Sequence, residues 1–170
     1  MNPLPETPET PAEAPPRRFW LVLVIAVAVI LLDQGTKWWA EASLEPGVSV
    51  PFIGELIRFQ LVYNPGAAFS IGTDFTWIFA ILAALGAVAV VGFAWRVRSW
   101  AWAVSLGLLL GGGITHLGDR LFREPGFGIG HVVDFIAYGN WFIGNVADIA
   151  IFAGAVLLLV LSFTGVRRTA

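Results

Sequence analysis

The sequence predicts an all-α membrane protein: a four-transmembrane-helix bundle with a small β-rich extracytoplasmic segment between helices 1 and 2. Three observations predict it. The chain is 57% hydrophobic and 13% charged, with eight tryptophans in 170 residues, which is more apolar surface than a soluble domain of this length needs. The apolar residues fall in four stretches, each long enough for a hydrocarbon layer of roughly 30 Å at about 1.5 Å per residue. The arginines cluster beside these stretches in a one-sided pattern.

Residues 1–16, "MNPLPETPETPAEAPP", are rich in Pro, Glu and Thr. They cannot build a core, so a disordered cytoplasmic tail is predicted. Residues 17–170 are read as one four-helix membrane domain. Span one covers about 19–40, and every residue from Phe19 to Leu32 is apolar. It has a rival reading. Arg17, Arg18, the apolar run and "AEA" at 40–42 imitate a secretory signal peptide with its cleavage site. Asp33, Lys37, Trp38 and Trp39 stand where a cleavage region wants small neutral residues, which favours an uncleaved helix. The segment 45–74 alternates and is broken by Pro and Gly. "SVPFIG" and "LIRFQLVYN" read as short strands, with a turn at "NPG". Spans two, three and four cover about 75–95, 100–117 and 141–163, and only "RVRS" links spans two and three.

Arg17 and Arg18 precede span one, Arg96 and Arg98 lie between spans two and three, and Arg167 and Arg168 follow span four. With four spans all six share one side. The positive-inside rule then puts both termini in the cytoplasm of a multi-pass protein. Segments 41–74 and 118–140 face outward. They carry Arg58, Arg120 and Arg123, with Lys37 at the edge, so the bias is clear without being absolute. The chain has no Cys, which excludes disulfides, thiol catalysis and thiolate metal sites. Two histidines fifteen positions apart argue against structural zinc, and no cofactor is predicted. The formal charge of −2 says little about partners, and nothing points to nucleic acid.

Ionisable groups at membrane depth cost several kcal/mol unless paired or solvated, which makes them functional candidates. The sequence offers five places to look. In "DQGTK", 33–37, Asp33 and Lys37 are four apart and pair on one helix face, either as a structural ion pair or as part of a polar site. In "YNPGAAFS", 63–70, Asn64 opens a turn or holds an extended peptide. In "GGGITHLGDR", 111–120, the glycines allow close backbone approach, and a continuing helix sets His116, Asp119 and Arg120 on one face. There His116 is a base, a metal ligand or a hydrogen-bonded interface residue, and Asp119 with Arg120 supports the local architecture. "VVDF" places Asp134 just before span four. "NVAD" places Asn145 and Asp148 on one helical face, with Asp148 about two turns into that span. A surface carboxylate and a structural hydrogen bond are the plain alternatives for Asp134 and Asp148. Two acids at one membrane depth make them harder to hold.

Two facing carboxyl groups with water between them suit amide hydrolysis. Close like charges do not both ionise easily, so one stays protonated while the other takes a proton from water. The protonated one polarises the scissile carbonyl. No Ser–His–Asp arrangement competes well in the sequence, because Ser70 and Ser105 have no neighbouring His.

From span one to the end of span four the chain resembles the lipoprotein signal peptidases, or signal peptidase II. The likeness rests on "DQGTK", "NPGAAFS", "GGGITHLGDR", "VVDF" and "NVAD", in that order, at the outer ends of four spans. It implies a bacterial intramembrane aspartic endopeptidase. Such an enzyme cuts prolipoproteins just before a lipobox Cys that already carries diacylglycerol. Carried over by motif, Asp134 and Asp148 are the catalytic pair. Asp33, Lys37, Asn64, Asp119, Arg120 and Asn145 shape or support the site, and His116 stands at a substrate-binding position. The resemblance further implies the cytoplasmic (inner) membrane, a site near its outer face, contact with membrane lipid, a monomer, and inhibition by globomycin. The chain departs from the family at Thr115–His116, where Gly-Asn is usual. His116 donates and accepts like Asn, but its ring is larger and can charge. Gly144 replaces a frequent Phe, "REPGFGIG" at 123–130 looks long, and "IAYGNWFIG" at 136–144 looks short. The chief rival reading is a small proton- or ion-coupled transporter, which would also need intramembrane Asp, Lys and His. Transporters usually place them at mid-bilayer and show repeats, and none is visible here. A membrane scaffold without chemistry is a third reading.

Overall fold

The computed structural model describes residues 16–66 and 75–169. The chain order is α1 (Phe19–Ser43), β1 (Ser49–Ile53), β2 (Ile57–Asn64), α2 (Thr76–Ala94), α3 (Trp100–Phe122), β3 (Val132–Tyr138), β4 (Phe142–Gly144) and α4 (Val146–Phe163). Among the described residues, all four helices are long and apolar enough to cross a membrane. The tail expected over 1–16 falls almost wholly on residues 1–15, outside the described ones, as does 67–70 of the "NPGAAFS" motif.

Helix α3 is the axis of the bundle and packs against α1, α2 and α4. Its glycines explain how. A methyl group at Gly111 would stand 2.7 Å from the Val29 side chain and 2.8 Å from the Ala26 carbonyl of α1. One at Gly112 would meet Ile151 of α4 at 2.5 Å and the Ala147 carbonyl at 2.9 Å. Two neighbouring glycines thus let two helices touch the α3 backbone on different sides. Gly113 has nothing so close.

The interior is layered. One apolar cluster, including Val22, Ala26, Trp102, Leu106, Leu110 and Leu161, fills the end of the bundle where the arginines lie. There Arg18 Nε donates to the Arg98 carbonyl at 2.9 Å, Arg98 N donates to the Arg168 carbonyl at 3.0 Å, and Trp102 Nε1 donates to the Val166 carbonyl at 2.8 Å. A smaller cluster at the other end joins Ala40 of α1 to Leu61, Val133 and Phe135 of the sheet. Polar side chains lie between the two. Helix α1 shows the order on one stripe: Val22, Ala26, Val29, Asp33, Lys37 and Ala40 are buried at spacings of three and four.

The sheet is larger than expected. Strands β1 and β2 match the two short strands predicted within 45–74 and pair with each other, but β3 and β4 from the segment after α3 complete an antiparallel sheet of order β1-β2-β3-β4. This alters two helix bounds. Span four was expected from Trp141, yet Phe142–Gly144 pair with β3 as a strand, and α4 starts at Val146. Those residues are apolar, so composition alone does not separate them from the helix. Helix α3 runs past the expected Leu117 to Phe122, because its charged last turn points into partners rather than into lipid.

Candidate active site

The polar layer starts from an ion network between α1 and α3. Lys37 is fully buried, with Nζ 2.7 Å from Asp119 Oδ2 and 2.6 Å from Asp33 Oδ2. The first contact is a hydrogen bond. The second is an ion pair without hydrogen-bond geometry. Asp119 Oδ1 also accepts from Gln34 Nε2 at 3.0 Å and from Arg123 Nε at 2.8 Å, and Arg123 reaches Glu41 at 2.6 Å. Unpaired, such buried charges are strongly destabilising, so each partner fixes the next. The remaining Asp33 oxygen leaves the network. It accepts the Ala147 backbone N–H at 2.8 Å and so satisfies a donor in the first turn of α4.

Arg120 does not pair with Asp119. Its guanidinium donates to the backbone carbonyls of Asn64 at 2.9 Å, Pro65 at 3.0 Å and Gly130 at 3.0 Å, and also to that of Gly66. A planar fork of donors suits a set of carbonyls at the close of β2. Asn64 Oδ1 accepts the Gly66 N–H at 2.9 Å, which makes the local turn.

That turn aims Asn64 at Asp134. In the β2–β3 register Val62 faces Asp134 and Asn64 faces Val132. Asn64 and Asp134 are therefore diagonal neighbours on one face of the sheet. Asn64 Nδ2 donates to Asp134 Oδ2 at 2.9 Å. The other oxygen, Oδ1, accepts from Asn145 Nδ2 at 2.6 Å.

Asn145 ties the two acids together. It is the N-cap of α4, and its Oδ1 accepts the Asp148 N–H at 3.0 Å. Asp148 returns the bond, with Oδ2 accepting the Asn145 N–H at 2.8 Å. This is a capping box, which puts Asp148 in the first turn of α4 rather than two turns in. Asp148 Oδ1 faces His116 Nε2 at 3.1 Å. Gly144 leaves room for the arrangement, since a methyl group there would stand 2.7 Å from Asp148 Oδ2.

Asp134, Asp148, Asn64, His116 and Arg120 line one cavity of about 980 Å³. Tyr138 and Phe142, stacked at 4.6 Å, form part of its wall. Phe79 and Ala83 of α2 and Ile149 and Phe152 of α4 line it with apolar surface. Asp134 is 4% exposed, whereas the Asp148 side chain is 41% exposed. Burial pushes the Asp134 carboxyl up to about 6; the Asn64 hydrogen bond opposes this and the charge of Asp148 adds to it.

The sequence-predicted residues thus fall into two linked groups. Asp134, Asp148, Asn64, His116 and Arg120 line the cavity, and Asn145 is buried behind it, bonded to both acids. Asp33, Lys37 and Asp119 lie behind it and hold the helices. Gln34, Glu41, Arg123 and Tyr138 were missed. For Arg123 a signal exists, because it follows Asp119 by four positions on the same helical face. For Tyr138 there is none, since only the sheet register brings it to the cavity.

A family described as signal peptidase (SPase) II matches residues 25–164. A lipoprotein signal peptidase of Mycobacterium avium is 45% identical over 165 residues, which cover 95% of this chain and 91% of that protein. One of Rhodococcus jostii is also 45% identical, over 91% of this chain and 80% of its own. A solved bacterial membrane enzyme superposes with a TM-score of 0.79 at 26% identity, covering 89% of this chain and 93% of that one. A second gives 0.71 at 27% identity, over 82% and 90%. These relatives favour the peptidase reading, and none of them favours transport.

Proposed function

Since the chain belongs to the lipoprotein signal peptidase (signal peptidase II) family, we propose that it is an aspartic endopeptidase with Asp134 and Asp148 as the catalytic pair. The observation that carries this is that Asp134 and Asp148 line one cavity while the buried Asn145 bonds to both of them.

Asp134 is the better proton carrier. Burial favours its neutral form, and its value of about 6 lies far above that of an ordinary carboxylate. Asp148 is the more exposed and acts as the base. It takes a proton from water, and the oxygen attacks the carbonyl carbon before the lipidated Cys while Asp134 gives its proton to the carbonyl oxygen. The C–N bond then breaks. The Cys amine takes the proton from Asp148, and the new carboxyl returns one to Asp134. The pair ends with the one proton it began with.

The substrate is a prolipoprotein whose lipobox Cys carries diacylglycerol. Apolar residues of α2 and α4 along the cavity suit such a lipid-bearing residue. Globomycin occupies the same cavity in this reading. The protein works as a monomer in the bacterial cytoplasmic (inner) membrane, its termini cytoplasmic and its cavity near the outer face. The six arginines at the opposite end support that orientation.

The test is cleavage of a diacylglyceryl-modified lipobox peptide by purified protein. We expect Asp134→Asn and Asp148→Asn each to lose at least about a thousandfold in kcat/KM, on the scale of removing a member of a catalytic unit. Wild-type rates in either variant would remove that acid from the mechanism.

A further inference from the structure

A second cavity, of about 600 Å³, has no part in the cleavage chemistry. It lies at the arginine end of the bundle, and its lining includes Ala89, Gly92, Phe93, Trp95, Arg96 and Arg168. Its charged rim is held in place. The Arg168 carbonyl accepts the N–H groups of Arg98 at 3.0 Å and Ser99 at 3.1 Å, and the Val166 carbonyl accepts Trp102 Nε1 at 2.8 Å. These bonds pin the segment after α4 to the link between α2 and α3. The Arg168 guanidinium then lies over the Phe93 ring, 3.8 Å from its centroid. A guanidinium stacked in this way keeps its N–H edge for an anion. Arg96 follows the end of α2 and is exposed. Trp95 beside it is fixed by an edge contact with Phe19 of α1, at 5.0 Å. Segments 16–18, 95–100 and 163–169 carry six arginines and no Asp or Glu. Among the described residues neither Arg96 nor Arg168 pairs with a carboxylate.

The floor of the cavity is apolar. Ala89, Gly92 and Phe93 share one face of α2. A methyl group at Gly92 would meet nothing within 4 Å, so the floor is open there. Ala89 lies about 10 Å along the helix axis from the level of Arg96. The cavity therefore runs from the guanidinium level into hydrocarbon depth. Its occupant must be anionic at one end and apolar at the other.

We propose that this cavity binds one anionic phospholipid of the leaflet at the arginine end, with the phosphate between Arg96 and Arg168 and an acyl chain along Ala89 and Gly92. The site shares no lining residue with the cavity of Asp134 and Asp148, and it does not depend on which acids cleave. Guanidinium groups bind a phosphodiester by charge-assisted hydrogen bonds, two at a time where the geometry allows. Trp95 suits the headgroup level, where indole rings favour the membrane interface. A zwitterionic lipid brings its own cation to the two arginines, so a net negative headgroup is preferred. Soluble phosphate gains the charge contacts but leaves the apolar floor uncovered.

The experiment is lipid titration of the full chain in detergent, read by native mass spectrometry. Phosphatidylglycerol is compared with phosphatidylcholine of the same acyl chains, and inorganic phosphate is added as competitor. We expect a one-to-one phosphatidylglycerol complex at least about tenfold tighter than the phosphatidylcholine one, the scale of two basic groups acting on an anionic lipid. The double variant Arg96→Gln, Arg168→Gln should bring the two lipids to within about threefold of each other. The double variant Arg17→Gln, Arg167→Gln removes the same charge outside the cavity and should keep the preference. Gly92→Leu keeps every arginine, fills the floor and should lose binding of both lipids. Thermal unfolding without lipid checks that each variant is folded. Equal retention of the two lipids by the wild type overturns the proposal and leaves the arginines to the acids of the tail, Glu6, Glu9 and Glu13, which lie outside the described residues. Equal losses in the two arginine variants overturn it in favour of general surface charge. Wild-type binding in Gly92→Leu overturns the cavity as the place. Displacement of phosphatidylglycerol by inorganic phosphate overturns the lipid as the occupant in favour of a soluble anion.

Discussion

Asp134 is the residue at which burial and chemistry conflict most. It lies 4% exposed on β3, with an amide on each oxygen and a second acid nearby. Its carboxyl stands at about 6, chiefly because burial disfavours its charge. The unfolded value is about 3.9, so folding favours the protonated form. Its contribution to stability is complete below about pH 4 and disappears as the pH rises through about 6. Catalysis follows the same sign. Above about 6 the pair loses the proton that polarises the carbonyl, so we expect the alkaline fall of kcat/KM to centre near pH 6. That midpoint belongs to the coupled pair rather than to one residue. A profile flat to pH 9 would rule out Asp134 as the acid. Asp134 was readable in the sequence as an acid before an apolar span. Asn64 and Asn145 were named as site residues too, but their bonds to Asp134 were not readable, because Asn64 reaches it through strand register and Asn145 through a helix cap.

At the scale of the element, the start of α4 decides the geometry of the site. Asp148 is placed by the Asn145 capping box, by Asp33 accepting the Ala147 N–H, and by Gly112, which lets this turn lie against α3. A methyl group at Gly112 meets Ile151 and the Ala147 backbone together, and backbone does not rotate aside. We expect Gly112→Ala to destabilise the protein by about 1–3 kcal/mol, the usual cost of overpacking. It should also lower kcat more than a matched Gly113→Ala, whose added group meets open space. Thermal unfolding in detergent and single-turnover cleavage measure the two effects. Equal behaviour of the two variants would show that this contact does not set the position of Asp148. The glycine run was visible in the sequence, but which glycine faces which helix was not.

At the scale of the whole molecule, charge and topology separate the two ends. The arginine-bearing segments before α1, between α2 and α3, and after α4 meet at one end through backbone and side-chain bonds. The sheet lies at the other, beyond the polar layer whose two acids line the cavity. The chain has no native Cys, so single introduced cysteines report sidedness without background. In intact spheroplasts we expect Glu55→Cys and Asn140→Cys to react with an impermeant maleimide, and Arg96→Cys and Arg167→Cys to react only after lysis. The reverse pattern would invert the proposed orientation.

Four spans, the polar motifs at their ends and the two acids can all be read along the chain, because hydrophobic length and misplaced charge are local properties. The N-terminus of α4 was also encoded locally, in "NVAD" as a capping box, but the apolar Trp141–Gly144 masked it. Other features needed distant segments to meet. The four-stranded sheet joins residues 49–64 to 132–144, Lys37 lies between an acid on its own helix and Asp119 on α3, and Arg120 turns from Asp119 to the carbonyls at 64–66. Strand register, helix rotation and the choice among competing buried partners depend on which surfaces pack together, and that is settled only when the whole bundle closes around its polar layer.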